Sequence, residues 1–137
     1  MSVPAWAALS ADYAQYHRDP RNKVCHLLGI PMIAFCVVRW TQVGGTAFPL
    51  AALVVPLYLY WDAPLGALMA ALIALMAGTA RLLPAWAFGV LFVVGWALQF
   101  LGHRYEGKSP AFTQNLLHFF VGPLWILQQA AVAIFSR

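Results

Sequence analysis

Charge is what this chain lacks most. Only 9% of its 137 residues are Asp, Glu, Lys or Arg, and 63% are hydrophobic. A soluble domain of this length carries about a quarter charged residues, so an ordinary soluble fold is excluded. There are four acidic residues, one of them a glutamate, Glu106. Cysteine is equally scarce. Cys25 and Cys36 stand 11 positions apart, about 16 Å along a helix, which is beyond the roughly 7 Å reach of a disulfide. Both read as packing residues, with Cys25 as a weaker alternative ligand beside His26. Absent too are a Gly-rich phosphate loop, a Gly-x-Ser-x-Gly elbow and a Cys-x-x-Cys pair. Nucleotide-dependent, serine-hydrolase and zinc-ribbon chemistry therefore lose their support. The first residues lack the basic leader and unbroken apolar core of a cleavable signal peptide.

The few charges bracket long neutral runs: Lys23 to Arg39, Arg39 to Asp62, Asp62 to Arg81, Arg81 to Arg104 and Lys108 to Arg137. Each can hold a helix, against about 17–25 apolar residues for a spanning one. The expected fold is all-α: a polytopic integral membrane bundle, one domain over 1–137. Five spans are expected at 23–40, 47–61, 64–80, 83–103 and 112–135. Before them, Trp6, Leu9, Tyr13 and Tyr16 recur at helical spacing over 3–17. They predict an amphipathic helix within 1–19, lying at the membrane interface. Asp19-Pro20 breaks it. Pro31, Pro56 and Pro123 fall inside spans and are expected to kink them.

The net charge of +4 does not indicate nucleic acid, because the basic residues are scattered at helix ends. It reads as topology. Five spans put Arg18, Arg21, Lys23, Arg104 and Lys108 on one side and Arg39, Arg81 and Arg137 on the other. The positive-inside rule then sets the N-terminus in the cytoplasm. His26 and His103, separated by four spans, return to the same face.

Ionisable groups in hydrocarbon are costly and are kept for a use. This chain keeps four histidines: His17, His26, His103 and His118. Neutral imidazole is the commonest protein ligand of transition metals, so a metal site at one face of the bundle is expected. In the first cluster Asn22 and His26 are i and i+4 at the mouth of the first span. His17 would point away in a straight helix, but the Asp19-Pro20 break lets it fold back towards His26. In the second cluster Gln99, His103 and Glu106 form one stripe if the helix persists past Gly102. Two histidines and a carboxylate are the usual ligands of non-haem Fe(II) oxygenases, while Asn22 or Gln99 suits a supporting hydrogen bond. The alternative for Glu106 is an ion pair with Arg104, Lys108 or Arg18 that caps a loop. His118 pairs with Gln114 at i, i+4. It is either a further ligand or a hydrogen-bond partner between helices.

The segments Tyr16-His17-x4-Asn22-x3-His26-x2-Gly29-Ile30-Pro31, Gln99-Phe-x-Gly-His103-x2-Glu106-Gly107-x2-Pro110-Ala111 and Gly122-Pro123-Leu124-Trp125 together resemble the membrane 2-hydroxy fatty acid dioxygenase family. The yeast enzyme of fatty acid α-oxidation typifies it. The resemblance covers 13–31 and 96–125. It implies an Fe(II) enzyme, bacterial in type and seated in the cytoplasmic membrane. That enzyme uses O2 to remove one carbon from a 2-hydroxy fatty acid. By this resemblance His17, His26, His103 and Glu106 are the metal and catalytic positions, with His118 an additional candidate. Such a substrate is an amphiphile, so a metal at the ends of the spans meets its C1–C2 end. Arg18, Arg21 or Lys23 could hold its carboxylate, and Tyr16 and Asn22 flank the site. Two other classes stay open. A non-catalytic scaffold or carrier predicts structural histidines, and a bis-histidine b-type haem protein predicts a Soret band.

Overall fold

The computed structural model describes residues 4–136. Its helices are α1 (Trp6–Ala14), α2 (Pro20–Trp40), α3 (Phe48–Trp61), α4 (Ala63–Thr79), α5 (Ala85–Glu106) and α6 (His118–Phe135). A tight 3₁₀ turn at Ala80–Leu82 extends α4, and another at Ala111–Thr113 precedes α6. No strand occurs among the described residues. This is a helical membrane bundle. Many large apolar side chains face outward, including Leu53, Tyr60, Leu75, Trp86, Val93 and Phe135, where acyl chains replace a protein partner.

Four segments are long and apolar enough to cross a bilayer: Pro20–Trp40, Ala63–Leu82, Ala85–Glu106 and His118–Phe135. The remaining expected span, 47–61, is α3, which has 14 residues. At 1.5 Å per residue it is about 21 Å long, short of a hydrocarbon core of about 30 Å. Its ends are fixed by turn chemistry. Gly44 and Gly45 hold positive φ before it. After it, Asp62 caps α4 by accepting the Leu65 N–H at 3.0 Å. The last span also starts later than expected, at His118 instead of 112. Asn115 Oδ1 accepts the Leu117 N–H at 3.0 Å, a side-chain turn that competes with helix. Gln114 therefore lies outside α6, and its expected helical pairing with His118 does not form. The assigned helices continue through Pro31, Pro56 and Pro123.

The pair that matters is α2 against α5, packed antiparallel along their lengths. Three glycines let them approach. A Cβ on Gly95 would lie 2.8 Å from Ile33 Cγ1, and one on Gly102 would lie 3.0 Å from Cys25 Cβ. On Gly29 it would strike the Gln99 amide. Small residues at such contacts are how membrane helices gain close van der Waals packing. Further along, Cys36 Sγ donates to the Phe88 carbonyl at 3.2 Å. The amphipathic α1 turns its aromatic stripe onto the bundle. Trp6 packs on Trp61 at 5.9 Å between ring centroids, and Tyr13 on Trp125 at 5.3 Å.

Candidate metal centre

The fold-back of the chain between α1 and α2 creates the site. Pro20 opens α2 with Asp19 as its cap, the Asp19 carboxylate accepting the Arg21 N–H at 2.8 Å. Just before that turn, His17 is carried inward to 1% exposure. Its Nδ1 lies 2.7 Å from the Tyr13 carbonyl. A carbonyl only accepts, so Nδ1 bears the proton and Nε2 keeps its lone pair. His26 repeats the arrangement in the second turn of α2, with Nδ1 3.0 Å from the Asn22 carbonyl. This is how metal-binding histidines are commonly oriented.

His103 comes from the last turn of α5, which runs to Glu106, three residues beyond the expected limit of that span at 103. Gly107, at φ 73°, ends the helix and gives its N–H to the His103 carbonyl at 3.0 Å. The three imidazoles converge. Ring centroids lie 4.3 Å (His17–His26), 4.8 Å (His26–His103) and 5.1 Å (His17–His103) apart. One nitrogen from each lies within 4.8 Å of the others, and all three residues are buried. His17 Nε2 and His103 Nδ1 are buried without any hydrogen-bond partner. Burial pushes the His17 imidazole down to about 4, against the opposing pull of the Tyr13 carbonyl, so it is neutral at pH 7. Three buried imidazoles with one nitrogen each within 4.8 Å of the others, two of those rings carrying unpartnered nitrogens, are a donor set that fits a transition-metal ion.

Glu106 lies beside this cluster but outside the group of converging nitrogens. Its carboxylate accepts from the Arg18 N–H at 2.9 Å, the Asp19 N–H at 2.8 Å and Asn22 Nδ2 at 3.0 Å. Asn22, fully buried, also donates to the Tyr16 carbonyl at 2.9 Å. These bonds pin the α1–α2 turn, and with it His17, to the end of α5. The loop-capping alternative thus has a counterpart here, through main-chain N–H groups instead of basic side chains. His118 stands apart from the three. Its Nε2 is 3.0 Å from Asp12 Oδ2, and its ring meets the edge of Tyr13 at 5.6 Å.

The remaining expected residues divide. Gln99 is buried, and its Nε2 makes only a long 3.5 Å contact with the Cys25 carbonyl. Arg21 is committed to Asp19 at 2.8 Å and to the face of Tyr105 at 4.5 Å. Arg18 and Lys23 line a second, polar pocket whose wall includes His17 and Trp125. Tyr16 contributes its carbonyl to Asn22 and its ring to Lys108, 5.9 Å away. Sequence reasoning missed two residues. Tyr13 orients His17 and stacks on it at 4.1 Å, a role its i, i+4 spacing to His17 could have signalled. Trp125, at the end of the Gly122-Pro123-Leu124-Trp125 segment, is buried against His17 at 5.4 Å.

A cavity of about 470 Å³ opens from the histidines into the bundle. His26, His103 and Gln99 stand in its wall, and most of the remainder is aliphatic or aromatic, from α2, α3, α4, α5 and α6. Its size falls in the usual range for a small-molecule site. The family model described as 2-hydroxy-palmitic acid dioxygenase Mpo1-like matches residues 5–134. The chain belongs to this family. Comparison with curated proteins and with solved structures gave no match. Membership in the Mpo1-like family accounts for the motifs at both ends of the chain and extends the relationship across the middle helices, beyond the 13–31 and 96–125 that carry the resemblance.

Proposed function

We propose that this chain is an Fe(II)-dependent dioxygenase that shortens 2-hydroxy fatty acids by one carbon. One observation carries the reading: three buried imidazoles, those of His17 and His103 each with a buried unpaired nitrogen, meet at one end of an apolar cavity of about 470 Å³. His17, His26 and His103 would hold the metal. When bound, Fe(II) would supply activation of O2 and a chelation point for the 2-hydroxyl and carboxylate. The overall reaction balances as R–CH(OH)–COO⁻ + O2 → R–COO⁻ + CO2 + H2O. The substrate gives up four electrons and O2 accepts four, so no separate reductant is needed.

The protein's own groups do the rest. The carbonyls of Tyr13 and Asn22 hold His17 and His26 in the tautomer that offers Nε2. The apolar walls take the alkyl chain and exclude water. The Gln99 amide, weakly engaged at 3.5 Å, is free to donate to the substrate carboxylate. Arg18 and Lys23 raise the positive potential beside His17 and draw the acid to the site. Glu106 serves as a positioning residue for the α1–α2 turn. Arg18, Arg21, Lys23, Arg104 and Lys108 cluster at this end of the helices, which favours a cytoplasmic site in a bacterial inner membrane.

The haem alternative is disfavoured, because rings 4.3–5.1 Å apart leave no room for a porphyrin between any two. A purely structural role is disfavoured because such histidines would be hydrogen-bonded at both nitrogens. The test is O2 uptake by detergent-purified protein loaded anaerobically with iron. The expected result is consumption with 2-hydroxypalmitate, equimolar CO2 and a C15 acid, and no consumption with palmitate. Stoichiometric iron without turnover of any 2-hydroxy acid would overturn the proposal.

A further inference from the structure

The two ends of the cavity differ in chemistry. Of its polar lining residues, His26 and His103 belong to the metal centre, Tyr13 stacks on His17, His118 meets Tyr13, and Gln99 contacts the Cys25 carbonyl next to His26. The antiparallel packing of α2 on α5 supplies a depth scale for the rest. Gly102 faces Cys25, Gly95 faces Ile33, and Cys36 meets Phe88. Residues later in α2 and earlier in α5 therefore lie progressively farther from the histidines. At 1.5 Å per residue, Val38 is about 18 Å along α2 from His26, and Phe92 about 16 Å along α5 from His103.

Two other helices reach the same depth. Gln42 Nε2 donates to the Ala77 carbonyl at 3.0 Å, fixing the end of α4 beside the end of α2 and bringing Met76 to this level. Leu50 comes from the first turn of α3, directly after the loop that leaves α2. Val38, Leu50, Met76 and Phe92 all line the cavity. Val38 is 2% exposed and belongs to the close-packed core. Its side chain cannot move aside without repacking its neighbours.

We propose that Val38, with Leu50, Met76 and Phe92, forms the stop that sets the longest alkyl chain the site accepts. The inference rests on the reading that the cavity holds the tail of a 2-hydroxy fatty acid. A tail that meets the stop before its C1–C2 end reaches the histidines is held out of register with the metal centre, because seating it would require Val38 and its neighbours to repack. A misplacement of about 1 Å at the reacting atoms costs on the order of 100-fold in rate.

The test uses the full-length protein in detergent with 2-hydroxy acids from C10 to C20. Two readouts are taken together: kcat/KM for each acid, and displacement of a fluorescent fatty acid by unreactive straight-chain acids of the same lengths. Val38→Trp is expected to lower kcat/KM for the longest accepted acid more than tenfold while sparing shorter ones. Phe92→Ala is expected to move the optimum to longer chains, and serves if the first variant fails to fold. Iron content near that of wild type in both variants confirms that the centre is untouched. Unchanged length profiles in folded, iron-loaded variants overturn the stop. If no 2-hydroxy acid is turned over, the dioxygenase reading fails, but the displacement profiles still decide whether these residues set length.

Discussion

Replacing Glu106 by Gln separates two roles that the sequence alone leaves open. The carboxylate accepts three hydrogen bonds, with Oε2 serving both Asp19 N–H and Asn22 Nδ2 and Oε1 serving Arg18 N–H. A glutamine keeps one carbonyl oxygen, which can still serve Asp19 and Asn22. Its NH2 then faces the Arg18 N–H, donor against donor. The change removes one charge-assisted bond outright and weakens two, at about 1.5–3 kcal/mol for a bond to a charged acceptor. The Arg18 end is exposed, where water replaces part of the loss, so about 2 kcal/mol is a reasonable net value. Thermal unfolding in detergent should show a fall of roughly 4–8 °C. Metal affinity should weaken, since His17 is carried by the loosened turn, but near-stoichiometric iron should still bind at saturation. Elemental analysis of iron-saturated Glu106→Gln, beside His26→Ala, is the deciding assay. If Glu106→Gln loses iron as completely as His26→Ala, the carboxylate is a ligand and the positioning role is wrong.

Alanine at His17, His26 or His103 should each abolish stoichiometric metal, whereas His118→Ala should retain it; equal loss in all four would extend the site to His118. Gly102→Val should disrupt α2–α5 packing at Asn22 and Cys25, costing about 2–4 kcal/mol and the metal together, as read by melting and elemental analysis. In metal-free protein, His17 stays neutral down to about 4, while in the unfolded chain it protonates near 6.5. The unfolded state thus binds more protons between these values, so stability should fall as pH drops from about 6.5 to 4, by up to about 3 kcal/mol. His17→Phe should flatten that part of the slope in a pH series of denaturation midpoints.

Legibility in the sequence followed the physics of each signal. Hydrophobic runs bounded by single charges mark helices strongly, because any polar group in lipid must be satisfied internally. The helical bundle was therefore readable, and so was the return of His26 and His103 to one end. Helix ends were less so. The late start of α6 depends on one side-chain bond from Asn115, and the shortness of α3 on where the glycine turn and Asp62 fall. The aromatic stripe of α1 showed an amphipathic helix but not what it faces; periodicity reports an apolar side and is silent on whether protein or lipid covers it. The pairing of His17 with His26 needed the Asp19-Pro20 break, which sequence shows, and a clamp to hold the fold-back, which it does not. That clamp is a main-chain matter: Glu106 reads the N–H groups of Arg18 and Asp19, contacts spanning 88 and 87 positions that no local pattern encodes.

The placement of the centre follows from the same constraint. Three histidines from one turn and two helices can meet only where the helices end, because a turn cannot enter hydrocarbon with its backbone groups unpaired. Glu106 and Asn22 satisfy that turn at the depth where α5 stops at Gly107. The three histidines are thereby fixed at the boundary between polar surface and apolar interior. A 2-hydroxy fatty acid has its reactive carbons at the same boundary and its tail in the hydrocarbon. A cavity that continues inward from His26 and His103 along α2 and α5 would therefore receive such an acid, if it is the substrate we propose, in the orientation it already has in a bilayer, without first drawing it into water.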